Sequence, residues 1–598
     1  MKNLQKIYLL LVLISGAISL PGLRAADQSA AQFQAMLDSY YADSVALFPI
    51  DAAINGDSDP RFEDVWPDDA TAEYRAKVEA MCDRYLGALA KYDRSTLPPG
   101  DQLSYDVLKW RLSLLKEGTT QIFYLLPVNQ FTGNTLMFAQ FGSGTYLHPF
   151  NTARDYRNFL SRARGFSSWV DSAIANMRAG IAKRVVQPRI LMERVLPQLE
   201  PLMSEDPAKN LFYGPLAKLP ADLSADEKTK LDAEYRDGIR TIIIPAYSRL
   251  HQFIKDEYLP RCRVTAGIGA LPGGAEAYAY SIRLNTTTDM TADEIHALGL
   301  REVARIRGEM EKVRDQIGFK GTLPEFLKFV ATDPQFRPYK TEEAVLDGFR
   351  AIESRVMAAV PRFFAHTPRT KFEIRATEKF RVATAAHEYS AGAADGSRPG
   401  IFYVPVVTPE SYSSVKMEDL FLHEAIPGHH FQISLTLENM ALPKFRRHDA
   451  NNAYVEGWAL YCESMGKELG MFSDPLQYFG RLYYDMHRAV RLVVDTGIHA
   501  KGWSREQALQ YAEEQEGSSP TRQTEIAEME RYMAWPGQAL GYKIGQLKIR
   551  ELRTLAEKQL GEKFDIRAFH DEVLMEGALP LAVLETRIKA WIASQARK

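Results

Sequence analysis

The stretch His423-Glu424-Ala425-Ile426-Pro427-Gly428-His429-His430 constrains this chain more than any other. It sets imidazoles and a carboxylate inside an apolar run that Met417-Glu418-Asp419-Leu420-Phe421-Leu422 opens and Phe431-Gln432-Ile433 continues. A hydrolytic zinc site needs two neutral imidazoles, a carboxylate beside an activated water, and a third protein ligand from elsewhere. Ligand histidines on a regular helix stand four apart, because those positions share a face. Here that position is Pro427. An unbroken helix would carry His429 about 240° round from His423, and His430 back to the same face but about 10 Å along the axis. Neither arrangement chelates, so the segment has to bend. Pro427 lacks the N–H that would bond the His423 carbonyl, and its ring crowds that turn. Gly428 then tolerates backbone angles that other residues resist. The pattern predicts a broken helix that returns His429 to the side of His423. His430 is the rival second ligand.

A third ligand is expected in Asn451-Asn452-Ala453-Tyr454-Val455-Glu456-Gly457-Trp458-Ala459-Leu460-Tyr461-Cys462-Glu463. Glu456 stands among bulky apolar groups on a predicted helix, where a carboxylate needs a partner. A metal ion is such a partner. Glu463 lies two turns further along the same face and is placed to orient a ligand histidine. The next helix, Gln477 to Ala500, carries His487, Arg488, Arg491, Asp495 and His499. Its arginines either clamp a substrate carboxylate or pair with acidic neighbours. The aromatic, glycine-rich stretch from Glu530 to Gly545 offers Tyr542 or Tyr532 as a hydroxyl donor to an oxyanion.

The rest of the chain is read as scaffold. Its 598 residues imply more than one core or one large multilobed domain. Residues 1–26 read as an export signal: Lys2 and Lys6 precede the apolar run Ile7–Ile14, and Ala25-Ala26 offers a cleavage point. No cysteine lies near that point, which argues against a lipid anchor, and no later segment is long and apolar enough to span a bilayer. A periplasmic or secreted product without stable membrane insertion is expected. The net charge of −3 gives no electrostatic case for nucleic acid as a partner. Cys82, Cys262 and Cys462 are too few and too scattered for a disulfide framework and are expected as buried free thiols.

Residues 27–270 carry apolar side chains at three- and four-residue steps and read as a helical region, with breaks at Pro98-Pro99-Gly100 and an irregular crossing from Gln121 to Phe150. Asp101 is read as the cap of a helix over Ser104–Lys116, and separate helices are expected at Asp155–Leu160 and Ser167–Ala182. Pro272-Gly273-Gly274 marks a boundary that opens a second region, 271–598. Ala275 to Leu284 reads as a short strand, and Thr291-Ala292-Asp293-Glu294 as a capping box. Phe372–Ala385 and Ile401–Val407 read as strands. The second is expected to offer a free edge for an extended substrate backbone. His387-Glu388 reads as loop packing, and His296 as a surface or core histidine. Fold class is mainly α, with a small β-sheet near the histidine helix.

Three strings, Phe421-Leu422-His423-Glu424-Ala425-Ile426-Pro427-Gly428-His429-His430, Glu456-Gly457-Trp458-Ala459-Leu460-Tyr461 and Pro536-Gly537-Gln538-Ala539-Leu540-Gly541-Tyr542, together resemble the bacterial family catalogued as domain of unknown function 885, from about Ala31 to the end. That family looks related to helical zinc peptidases such as carboxypeptidase Taq, the thimet-type oligopeptidases and angiotensin-converting enzyme. The resemblance implies a large, two-lobed helical fold with a deep cleft. It maps His423 and Glu456 to zinc ligands and Glu424 to the general base. The second histidine does not map cleanly, because those relatives lack the insertion. The activity implied is zinc-dependent hydrolysis of peptide or related amide bonds in short peptides, with Tyr542 and Arg491 steadying the oxyanion or the substrate. The alternative is an exported zinc- or peptide-binding protein that makes no use of Glu424.

Overall fold

In the computed structural model, residues 21–597 are described, apart from 58, 380–381, 383–385, 449 and 518–521. The export signal expected over 1–26 falls, up to Leu20, outside the described residues. Helices dominate, and the described strands form one three-stranded sheet. No helix among the described residues is long and apolar enough to cross a membrane.

Helix starts follow local chemistry. Thr291 and Glu294 form the expected capping box and open the helix Ala292–Gln316. Thr152 with Asp155 does the same for a single helix Ala153–Lys183, which replaces the two shorter helices expected there. Asp101 is not a cap: the helix begins earlier, at Pro99, where a proline needs no N–H partner, and the Asp101 carboxylate accepts instead from Gln34. The irregular crossing contains a helix, Asn134–Gly142.

The stretch read as a strand at Ala275–Leu284 is helical, within Gly274–Thr286. Its alternating Ala-Tyr-Ala-Tyr imitates a two-residue period. Yet Ala277, Tyr278, Ser281, Ile282 and Asn285 are buried at helical spacing, with Tyr280 and Thr286 buried beside them. Alanine favours helix, and a β-branched residue appears only at Ile282.

Strand β1 (Phe372–Ala376) is shorter than expected, and part of its predicted extension lies outside the described residues. Strand β2 spans Glu388–Ser390 and β3 spans Gly400–Val404. The order is β1-β3-β2, with β3 parallel to β1 and antiparallel to β2. The strand expected to present a free edge is therefore the middle one. Both of its edges are already paired, so no substrate backbone can add there.

Two apolar cores form, and each draws residues from before and after position 270. One gathers Phe421, Leu422, Phe431, Tyr454 and Trp458 around the histidine segment. The other holds Leu482, Met486, Ala489 and Val490 of the helix Pro475–Ala500. Cys82, Cys262 and Cys462 are free, the first and last buried.

Candidate metal centre

The histidine segment breaks where the sequence demands. One helix, Met417–Glu424, ends after Glu424, and a second, Gly428-capped helix runs His429–Glu438. Gly428 is pressed onto the end of the first helix: a Cβ there would lie 1.9 Å from the His423 carbonyl oxygen and 2.4 Å from that of Leu422. Any side chain would force the two helices apart. The Trp458 indole N–H donates to the Pro427 carbonyl at 2.9 Å and ties the break to the helix Asn452–Ser464. Asn451 caps that helix through the Tyr454 N–H.

The two joined helices and the Asn452–Ser464 helix bring three side chains together. His423, His429 and Glu456 each offer one donor atom, and all three atoms lie within 4.8 Å of one another. Glu456 Oε2 is 3.5 Å from His423 Nε2 and 3.7 Å from His429 Nε2. Those separations are too long for good hydrogen bonds. They match the edge of a tetrahedron about a zinc ion, about 3.4 Å for bonds of about 2.1 Å. Glu456 Oε2 is buried and has no hydrogen-bond partner.

His430 is not part of the cluster. Its Nδ1 meets the Tyr389 hydroxyl at 2.9 Å, and its ring lies 5.0 Å from that of Phe372, against the sheet. The bend thus selects His429 over His430 as the neighbour of His423.

Glu463 stands where an orienting carboxylate was expected, with Oε1 2.7 Å from His423 Nδ1. A carboxylate only accepts, so His423 Nδ1 carries the proton and Nε2 faces the cluster. Burial resists charge on His423, but Glu456, Glu463 and Glu424 outweigh it and raise its pKa well above the usual histidine value. Burial also lowers the His429 pKa, to about 4, which keeps its ring neutral. Burial would raise Glu456, yet the two histidines and the Tyr542 hydroxyl overcome it and hold its pKa down to about 2. Glu424 is pushed up to about 7, first by burial and then by the charges of Glu456 and Glu388. Among the described residues no lysine or arginine bonds Glu424, Glu456 or Glu463, and a divalent cation would answer that imbalance.

The two candidate tyrosines separate clearly. The Tyr542 hydroxyl reaches Glu456. Tyr532 instead donates to Glu528 at 2.7 Å and accepts from Arg491 Nε at 3.0 Å. Arg491 is committed to Glu528 as well, at 2.6 Å, and its guanidinium lies 4.7 Å over the Tyr542 ring. Of the two alternatives for Arg491, the acidic partner is the one observed. His296 meets Thr496, at 2.8 Å.

Sequence reasoning grouped Arg488 with the arginines that clamp a substrate carboxylate or pair with acidic neighbours, and read Glu388 as loop packing. Both act electrostatically on Glu424. Arg488 follows Tyr484 by one helical turn, so its side chain was placed to meet that ring. Glu388 reaches the site only through the sheet, and nothing local signals that.

Fold and cluster together define a mainly helical protein with a two-histidine, one-glutamate constellation suited to a divalent cation. The chain belongs to the family described as "Bacterial protein of unknown function (DUF885)", whose profile matches residues 49–588. The crystal structure of a "putative lipoprotein" from Colwellia psychrerythraea is similar, with a TM-score of 0.84 at 28% identity over 95% of this chain and 100% of that one. A "putative lipoprotein of unknown function" from Shewanella oneidensis shares the fold, with a TM-score of 0.73 at 20% identity over 93% of this chain and 99% of that one. No curated protein matches.

Proposed function

We propose that this protein is a zinc-dependent hydrolase of peptide or related amide bonds that acts on short peptides. The observation that carries the reading is Glu456 Oε2, buried without a hydrogen-bond partner between two imidazole nitrogens at 3.5 and 3.7 Å. His423, His429 and Glu456 would hold the ion. Two imidazoles and a carboxylate are a donor set that zinc accepts in hydrolytic sites while leaving a position open. Zinc bound there supplies Lewis acidity, which acidifies water and polarises a carbonyl.

The chain's own groups do the rest. Glu424, next to a ligand and without a hydrogen bond or ion pair among the described residues, takes a proton from water on its carboxylate. It returns that proton to the leaving nitrogen. The Tyr542 hydroxyl donates to the developing oxyanion. Glu463 keeps the His423 ring in the tautomer that turns Nε2 inward. Export is part of the proposal. It is supported by the apolar N-terminal run and by the description of both similar structures as lipoproteins.

The test is a digest of a mixed short-peptide library by zinc-loaded protein, with and without chelator, alongside Glu424→Gln. The variant should keep its zinc and lose turnover by about 10²–10⁴-fold. Wild-type protein that holds zinc and cleaves nothing, or a variant as active as wild type, would overturn the proposal.

A further inference from the structure

Arg488 stands out among the buried and half-buried cations of the helix Pro475–Ala500. Arg481 pairs with Asp485 at 3.2 Å and Arg491 with Glu528 at 2.6 Å. Arg488 has no hydrogen bond and no ion pair among the described residues, and its Nε is buried without a partner. Two tyrosine faces hold it instead. Its guanidinium carbon lies 5.2 Å from the Tyr484 ring centroid and 5.8 Å from that of Tyr542. Lys416, which forms no ion pair among the described residues, sits 5.3 Å from the Tyr484 centroid and 3.5 Å from that of Tyr483.

Taking a guanidinium partly out of water without a hydrogen-bonded or ion-paired anion is costly; Glu424 and Asp419 feel its charge, yet neither bonds it, and the empty planar fork is placed to receive a carboxylate. Contact with two tyrosine rings leaves the N–H edge of the guanidinium without a protein acceptor among the described residues, and that edge is what two-point carboxylate recognition uses. Tyr542 fixes where that edge stands. Its hydroxyl reaches Glu456, and its ring lies against Arg488. One tyrosine therefore separates the cluster from the guanidinium, a span comparable to one or two extended residues at about 3.5 Å each. The oxyanion already has the Tyr542 hydroxyl for a donor, so Arg488 is free for a group further along the substrate.

We infer that Arg488 binds the terminal α-carboxylate of a peptide whose scissile bond lies one or two residues from its C-terminus, which makes this protein a carboxypeptidase or peptidyl-dipeptidase in mode. The inference rests on the hydrolase reading above and adds the substrate class. Arg488 is the specificity-determining residue. Lys416 adds positive field, while Tyr484 and Tyr542 hold the guanidinium.

Binding separates this claim from catalysis. The probes are a dansylated tri-alanine as the free acid, its C-terminal amide, and an amidated analogue with aspartate as the last residue. Affinities are measured on zinc-loaded Glu424→Gln by fluorescence. The free acid should bind about ten-fold or more tightly than the amide, as expected for a charge-assisted pair. Adding Arg488→Gln should bring that ratio close to one, and Arg488→Lys should restore only part of it, because an ammonium lacks the fork. Equal binding of acid and amide by the Glu424→Gln protein overturns the inference. So does an aspartyl amide that binds as tightly as the free acid, which would assign the anion to a side chain. Acid-selective binding together with a zinc-loaded wild type that cleaves no peptide would sink the hydrolase reading and leave the carboxylate recognition standing.

Discussion

Glu456 Oε2 is the atom on which the chemistry turns. A buried acceptor left without a donor costs about 1–3 kcal/mol, and more when charged. Glu456 tolerates it in a chain that satisfies most of its other buried carboxylates. One neighbouring imidazole is also incompletely bonded: His429 Nδ1 lacks a partner. A cation among the three would relieve Glu456 Oε2, which faces both Nε2 atoms. Exchange of single residues separates ligands from bystanders. His430→Ala should leave zinc affinity near that of wild type, because this ring is engaged with Tyr389. Glu463→Ala should weaken zinc about 10–100-fold, the usual cost of losing a ligand's outer partner, and His429→Ala should weaken it further. Competition with a fluorescent zinc chelator reads all three. At this scale the sequence was most informative where chemistry and spacing agreed. The proline-glycine break, Glu456 as a buried acid and Glu463 as its companion all follow from residue type and helix geometry. His429 could not be told from His430, nor Tyr542 from Tyr532, because the choice depends on how the two helices turn at Gly428 and on what packs against them. Arg488 was hidden for the same reason: an arginine without an acid looks like any other until its neighbours are known.

Among the secondary-structure elements, the crossing of Asn452–Ser464 on Leu540–Leu560 positions the cluster. It brings the Glu456 helix and the Tyr542 helix so close that a Cβ on Gly545 would stand 1.8 Å from the Ala453 carbonyl oxygen, and one on Gly457 2.5 Å from Gly545 Cα. Gly545→Ala should therefore lower stability by about 1–3 kcal/mol, seen as a reduced Tm. It should also weaken zinc, since Ala453 is one turn from Glu456. A second element-scale expectation concerns Asp495, fully buried on the helix Pro475–Ala500. Burial raises its pKa to about 7, against the hydrogen bonds donated by the Tyr278 hydroxyl and the Gly537 N–H. An unfolded aspartate titrates near 3.9, so the folded state binds the extra proton between about pH 4 and 7. Stability is thus lost as pH rises through that window, by up to about 4 kcal/mol. Asp495→Asn, which still accepts through its amide oxygen, should melt above wild type at pH 8, and the gap should close towards pH 5. Other buried groups are common to both proteins and cancel. Secondary structure was legible where caps and periodicity were strong, as at Thr291. It was misread at Ala275–Leu284, where alternating small and aromatic residues imitate a strand, and at Ile401–Val407, whose place inside the sheet depends on pairing with segments far along the chain.

Across the whole molecule, the two cores explain why the site is held rather than merely assembled. The elements bearing His423, His429 and Glu456 bury Leu422, Phe431 and Trp458 in one core, while the helix bearing Arg488 buries Met486, Ala489 and Val490 in the other. That helix also buries Leu492 in the first core, so it ties the two cores together beside Tyr542. This division was not readable from composition or from the boundary at Pro272-Gly273-Gly274, because each core interleaves early and late segments. A ligand that binds only the folded state stabilises it by mass action, so the ion should also support the junction. The most direct measurement is the zinc content of the purified chain after loading and removal of excess metal, compared with His423→Ala and Glu456→Ala that remain folded. The account predicts one zinc per wild-type chain and essentially none in either variant. A wild type that retains no zinc, or variants that retain as much as wild type, would contradict it.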